Sequence, residues 1–215
     1  AQVLANEDEV IPEALAVCRV PGVAAFVNIS YGCNNFCAYC IVPYARGREQ
    51  SRTPEAVLAE VKQAVAEGYR EITLLGQNVN SYQGLSDTLG ETDFASLLRL
   101  VAGVPDLARL RFTTSHPKDL SDRLLDTMAE LGPLCEHLHL PIQAGDDEVL
   151  HSMGRGYTYS HYKSLVEAAR SRMPGLAVTT DVMVGFPGET EKQFLNTLRA
   201  FEEIRYDQAF MFKYS

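Results

Sequence analysis

Cys33, Cys37 and Cys40 stand at C-x3-C-x2-C spacing within Asn28-Ile29-Ser30-Tyr31-Gly32-Cys33-Asn34-Asn35-Phe36-Cys37-Ala38-Tyr39-Cys40, directly after a short apolar run. Thiolates this close in sequence can converge on one soft metal centre without help from distant parts of the chain. Tetrahedral sulfur sites favour zinc or an iron–sulfur cluster. A fourth cysteine is missing from the set. A structural zinc site normally closes with four protein ligands, whereas a cubane held by three leaves one iron open to bind another molecule. That open iron is where chemistry is expected. A zinc site completed by a remote ligand such as His116 is the alternative.

The loop needs elements to position it. From Val23 onward, short β-rich runs alternate with amphipathic helical stretches, the pattern of a parallel α/β fold. Strands are expected at Ala24 to Ser30, Glu71 to Leu75, Arg109 to Thr114, Cys135 to Leu140, Ala177 to Val184 and Gln208 to Tyr214. Thr53 reads as a helix cap with Pro54 at the first helical position, Val57, Leu58, Val61 and Val65 at helical spacing, and Gly68 as the stop. Thr92 precedes Phe94, Leu97, Leu98 and Val101, and Ser121 precedes Leu124, Leu125 and Met128. Thr190 with Gln193 makes a capping box ahead of Phe194, Leu195, Leu198 and Phe201. Asp146 to Tyr157 reads as a short extra helix ended by Gly154 and Gly156, before a longer one from Thr158.

Strand alternation separates an open sheet from a barrel. Arg111, Thr113 and Ser115 alternate with Leu110 and Phe112, His137 and His139 with Leu138 and Leu140, and Thr179 and Asp181 with Val178 and Val182. Strands buried on both faces would be nearly continuous apolar runs, so one face here is polar and lines a lumen that holds a polar ligand. Six βα units are too few for a closed eight-fold barrel. The expected class is therefore α/β, a partial, laterally open (β/α)6 barrel, three-quarters of a TIM barrel, with the cysteine loop at its C-terminal rim. His137 and His139 are expected as hydrogen-bonded barrel residues and Cys135 as a small buried one. Asp181 and Arg111 could pair across the lumen.

With 215 residues, 46% hydrophobic and 22% charged, the chain can bury a sizeable core as one domain. No apolar run approaches membrane-spanning length and no basic segment leads into an apolar one at the start, so a cytoplasmic setting without a membrane is expected. Five cysteines, an odd number in a chain too large to need disulfides, fit a reducing compartment. The formal charge of -9 argues against a nucleic-acid surface spread over the whole domain but leaves room for a local basic patch.

C-x3-C-x-aromatic-C, here Cys33, Cys37, Tyr39 and Cys40, resembles the radical S-adenosylmethionine enzymes. The resemblance implies a [4Fe-4S] cluster with one open iron site that binds S-adenosylmethionine. In that family the cluster injects an electron into the sulfonium, and the resulting 5′-deoxyadenosyl radical abstracts hydrogen from an unactivated C–H bond. It also implies cofactor contacts at Tyr39, and at Gly76, Gln77 and Asn78, where the family contacts the methionine amino group. Further contacts follow at Ser115, at Gln143 within Pro141-Ile142-Gln143-Ala144-Gly145, where members bind the ribose, and at Gly185 in the adenine-side turn Gly185-Phe186-Pro187-Gly188-Glu189. No side chain is implied as the catalyst, since the cluster and the radical perform the chemistry.

Within the superfamily the chain resembles the methylthiotransferases, through Pro43-Tyr44-Ala45-Arg46-Gly47-Arg48-Glu49 with Ser51-Arg52, Phe112-Thr113-Thr114-Ser115-His116-Pro117, His139-Leu140-Pro141 and Met153-Gly154-Arg155. Leu75-Gly76-Gln77-Asn78-Val79-Asn80-Ser81-Tyr82 is similar to the MiaB-type branch. That branch adds a methylthio group to C2 of N6-isopentenyladenosine beside the tRNA anticodon. The resemblance implies tRNA as partner, with Arg46, Arg48, Arg52 and Arg155 as candidates to hold its phosphates, and an electron donor such as flavodoxin or ferredoxin. Methylthiotransferases of this group carry a preceding domain with a second, auxiliary [4Fe-4S] cluster and usually a basic RNA-binding domain. Residues 1–22 then read as an arm from a missing N-terminal domain and 23–215 as the radical core. The alternatives are the branches acting on a ribosomal-protein aspartate or on threonylcarbamoyladenosine, and, outside enzymes, a zinc-binding interaction module.

Overall fold

A computed structural model describes residues 19–88 and 90–215. Cys18 and most of the expected arm lie outside the described residues. Six parallel strands follow one another in sequence order: β1 (Ala24–Asn28), β2 (Glu71–Leu75), β3 (Arg109–Phe112), β4 (His137–His139), β5 (Ala177–Val184) and β6 (Gln208–Lys213). They form two three-stranded halves, β1-β2-β3 and β4-β5-β6. Parallel pairing between Leu110 and Leu134 joins the halves, with Leu110 donating to Pro133 O at 2.7 Å and Cys135 donating to Leu110 O at 3.0 Å. Among the described residues β1 pairs only with β2 and β6 only with β5, so the barrel stays open.

The helices form where local chemistry starts them. Thr53 Oγ1 accepts from Ala56 N at 3.3 Å to open α1 (Pro54–Ala66), where Pro54 lacks a donor the helix would leave unpaired anyway. Phe94, Leu97, Leu98 and Val101 bury one face of α2 (Phe94–Ala102). Ser121 caps α3 (Asp122–Glu130), Thr158 caps α4 (Tyr159–Arg172), and Thr190 with Gln193 completes the capping box of α5 (Glu191–Ile204). Asp93, not Thr92, caps α2, because Thr92 belongs to an antiparallel ribbon of Gln83–Ser86 with Gly90–Asp93. That ribbon escapes a reading by periodicity, since its strands are short and glycine-bearing.

Burial follows the alternation. Val27, Ile72, Leu74, Leu110, Phe112, Leu138 and Val178 pack into the core, while Thr73, Arg111, His137, His139 and Asp181 take the other face, half-buried around the lumen. Three expectations need correction. The third strand stops at Phe112, and Thr114 beyond it takes a positive φ of 70°. The fourth begins at His137, which leaves Cys135 half-buried ahead of the strand rather than packed inside it. Arg111 pairs not with Asp181 but with Glu71 at 3.1 Å, its neighbour on β2, and Asp181 meets His139 at 3.4 Å. His137 and His139 both share Thr179 Oγ1, at 3.1 and 2.9 Å, as barrel hydrogen-bonding residues do.

Candidate active site

The cysteine loop leaves the C-terminal end of β1 and is fastened at two places. Ser30 and Tyr31 pair antiparallel with Ser51 and Gln50, and Cys33 N donates to Gly47 O at 3.2 Å. Gly32 makes that closure possible: its φ is +68°, and a Cβ there would sit 2.1 Å from Arg48 O. The second fastening comes from Met153-Gly154-Arg155, just past the short helix Asp147–Ser152. Ala38 N donates to Met153 O at 2.9 Å, and a Cβ on Gly154 would lie 3.4 Å from Phe36 O. Cys40 N donates to Cys37 O at 2.9 Å, which closes a turn between the last two cysteines.

Cys33 and Cys37 are buried and Cys40 is half-buried, all as free thiols. Burial pushes the Cys33 thiol up, and the charges of Glu49, Cys37 and Cys40 push it further. A set of mutually repelling thiolates needs cations to stay ionised. Among the described residues no three His, Cys, Asp or Glu side chains are placed to hold a single metal ion. Zinc at about 2.3 Å from each sulfur needs its ligands nearly in contact, whereas a cubane spreads its irons over separate corners and accepts wider spacing. His116, the candidate to complete a zinc site, has Nδ1 engaged by Lys118 N at 3.2 Å and its ring against Tyr157.

Beside the loop, neighbouring strand ends present polar atoms without partners. Ser30 Oγ, Asn78 Oδ1, Ser115 Oγ and His116 Nε2 are buried and unpaired among the described residues. Each such atom costs about 1–3 kcal/mol unless a ligand satisfies it. Their neighbourhood is tight: a Cβ on Gly76 would sit 2.5 Å from Ser30 Oγ, Val79 N donates to Thr114 O at 3.0 Å, and Asn80 clasps the His116 backbone at 2.8 and 2.9 Å. Asn78 Nδ2 donates to Asp119 Oδ2 at 2.7 Å, which leaves its Oδ1 as an acceptor. The Lys118 bond to His116 Nδ1 places the imidazole proton on Nε2, a donor. Three donors and one acceptor suit a ligand that carries an ammonium beside a carboxylate. A cleft of about 320 Å³ lined by Asn34, Asn35, Glu49, Asn78, Lys118 and Asp119 adjoins them.

Burial, with Arg155 and Lys118 adding repulsion, depresses His116 to about 2. The unfolded chain takes up this proton near pH 6.5, so below that value the unfolded state holds more protons than the folded one. The contribution is complete above pH 6.5 and is lost as pH falls toward 2, by up to about 1.4 kcal/mol per pH unit. Denaturant unfolding between pH 6.5 and 4.5 should show that slope, and His116→Gln should flatten it. From the sequence His116 was expected as a remote zinc ligand; its place next to Ser115, just past β3, was the available signal.

The other expected site residues divide. Tyr39 is half-buried with its hydroxyl 3.3 Å from Arg155 Nη1, and Gly76 and Gln77 lie beside Asn78 at the end of β2. Gln143 and Gly185 sit on the other half of the barrel. Gln143 is buried with φ of 67° and bridges to β5, and the Gly185 N–H is held by its own turn, donating to Glu189 at 2.5 Å. Arg46 and Arg48 are exposed. Arg52 and Arg155 are not surface phosphate contacts, because each is buried, 6% and 5% exposed, with its donors spent inside the protein. Arg52 Nη1 bonds Asn28 O at 2.7 Å and Glu60 at 2.5 Å. Glu60 keeps a second cation, Arg19 Nη2 at 2.6 Å, so Arg52→Ala removes one of two charged bonds to a nearly buried carboxylate and should cost about 2 kcal/mol by urea denaturation, with Arg46→Ala close to neutral.

The profile of the Radical SAM superfamily matches residues 27–201. The chain belongs to that superfamily. Its radical SAM fold is similar to that of the methyltransferase TsrM from Kitasatospora setae, with TM-score 0.70 and 20% identity over 88% of this chain and 36% of that one. It is also similar to methylornithine synthase, with TM-score 0.60 and 18% identity over 89% and 53%. In sequence it is 54% identical over 206 residues to the tRNA-2-methylthio-N(6)-dimethylallyladenosine synthase of Syntrophomonas wolfei subsp. wolfei, covering 95% of this chain and 46% of that protein. The protein of the same name from Carboxydothermus hydrogenoformans is 53% identical over 214 residues, 100% of this chain and 48% of its own length. The chain thus spans about half the length of these curated relatives. Among the described residues no helix is long and apolar enough to cross a membrane.

Proposed function

We propose that this chain is the radical-generating segment of a methylthiotransferase that modifies C2 of N6-isopentenyladenosine beside the tRNA anticodon in the cytoplasm. The observation that carries it is the meeting of a three-cysteine loop with four unpaired buried polar atoms. The cysteines suit a cubane with one open iron, and the polar set suits the amino acid end of S-adenosylmethionine. Together the cluster and that ligand, when bound, supply one-electron chemistry that removes hydrogen from an unactivated C–H bond.

The protein's own residues bind and orient. Cys33, Cys37 and Cys40 would hold the cluster. Asn78 Oδ1 would accept from the ligand's ammonium, and Ser30, Ser115 and the neutral His116 would donate to its carboxylate. Gly76 lets backbone and ligand approach closely, while Gln143 and Gly185 border the nucleoside side. Thr73, Arg111 and His139 make the lumen polar enough for a nucleobase. Arg46 and Arg48, exposed just past the loop, are the tRNA phosphate contacts, and flavodoxin or ferredoxin delivers electrons. Beyond the three loop residues the sequence holds only Cys18 and Cys135, so no second cysteine triplet is present. The sulfur transferred by the whole protein, on an auxiliary cluster, comes from outside these 215 residues.

Identity above 50% along the chain to proteins named for this tRNA reaction supports the substrate. Nucleoside analysis of tRNA from cells lacking the gene tests it. Loss of the methylthio group from isopentenyladenosine is expected; unchanged tRNA would shift the assignment to a ribosomal-protein aspartate.

A further inference from the structure

Arg155 holds a buried positive charge that no carboxylate offsets among the described residues. The residue is 5% exposed, and the bonds of its guanidinium go to neutral groups and one sulfur. Nε donates to Tyr157 Oη at 3.0 Å, Nη2 to Pro141 O at 3.2 Å, and Nη1 to Tyr39 Oη at 3.3 Å and to Cys37 Sγ at 3.4 Å. Tyr157 is itself fixed, donating to Pro141 O and Ile142 O at 3.1 and 2.9 Å. An isolated buried cation is costly unless an anion answers it. The negative charge within its reach is that of the cysteine loop, and the fork is locked in place by groups that carry none.

We propose that Arg155 is a positioning residue that sets the reduction potential of the cluster through an N–H···S bond to Cys37. The proposal rests on the cluster assigned under Proposed function. A cubane on three thiolates gains one negative charge when it takes one electron from a reductant. Hydrogen bonds to the sulfurs and a nearby fixed cation both stabilise the more negative form, which raises the potential. Burial strengthens the effect, because little water screens a charge enclosed between Tyr39, Tyr157 and the backbone of Pro141. Arginine suits this place better than lysine, since its rigid fork can satisfy a backbone carbonyl, two phenols and a sulfur together.

The test is a potentiometric titration of the full chain after anaerobic reconstitution with iron and sulfide, comparing wild type with Arg155→Met and Arg155→Lys. Iron content and the visible spectrum are read first. At the potential where the wild-type cluster is half reduced, Arg155→Met should show a reduced-to-oxidised ratio about tenfold lower, a downward shift of about 59 mV for a one-electron couple. Arg155→Lys, which keeps the charge and loses the fork, should fall between the two. If Arg155→Met fails to hold a cluster, a threefold fall in Arg155→Lys carries the proposal. Cluster-loaded variants with the wild-type midpoint would overturn it and leave the cluster reading intact. A wild-type chain that stays colourless would overturn both.

Discussion

Cys37→Ala is expected to leave the barrel folded and the protein colourless after treatment with iron and sulfide, with formation of 5′-deoxyadenosine lowered more than about hundredfold. Loss of an outer partner of a metal ligand already costs about 10–100-fold, and Cys37 is one of the three ligands proposed for the cluster. Its sulfur is buried and receives Arg155, so no neighbouring side chain replaces it. The loop's backbone bonds, Cys40 N to Cys37 O and Ala38 N to Met153 O, do not involve the sulfur. Circular dichroism should therefore show native secondary structure while bound iron falls. A variant that kept the wild-type visible spectrum would place the cluster elsewhere.

Gly32→Ala is expected to destabilise the protein by about 2–5 kcal/mol. An L residue at φ of +68° costs about 1–2 kcal/mol, and forcing a methyl into a packed site about 1–3 more. The obstacle is backbone, Arg48 O at 2.1 Å and Gly47 O at 2.6 Å, so no side chain can swing aside. Because Cys33 follows directly, the same change should displace the first thiol and weaken iron retention. Gly156→Ala is the control: its φ is +70° but its Cβ would meet open space, so only the conformational cost remains. Urea unfolding of the two variants separates strain from collision.

Those residues mark what was legible beforehand. The strands β3, β4 and β5 announced themselves by apolar residues alternating with polar ones, and Thr53-Pro54 and Thr190-Gln193 start helices by chemistry that is local. The cysteine spacing was legible for the same reason. Arg52 and Arg155 were not: in sequence they match the exposed Arg46 and Arg48, and only tertiary packing against Glu60 and Cys37 buries them. His116 was under-read because its unpaired Nε2 depends on the Lys118 amide occupying the other nitrogen. The Arg111–Asp181 pairing failed because adjacent strands offered Glu71 and His139 at shorter reach.

Everything proposed above rests on a three-cysteine cluster whose open iron takes S-adenosylmethionine. The measurement that tests it most directly follows the products when the reconstituted, reduced chain is incubated with S-adenosylmethionine and tRNA. The expected products are 5′-deoxyadenosine and methionine, with no methylthiolated adenosine, since these 215 residues hold no second cysteine triplet to carry a transferable sulfur. A cluster-loaded, reduced chain that forms no 5′-deoxyadenosine would contradict it.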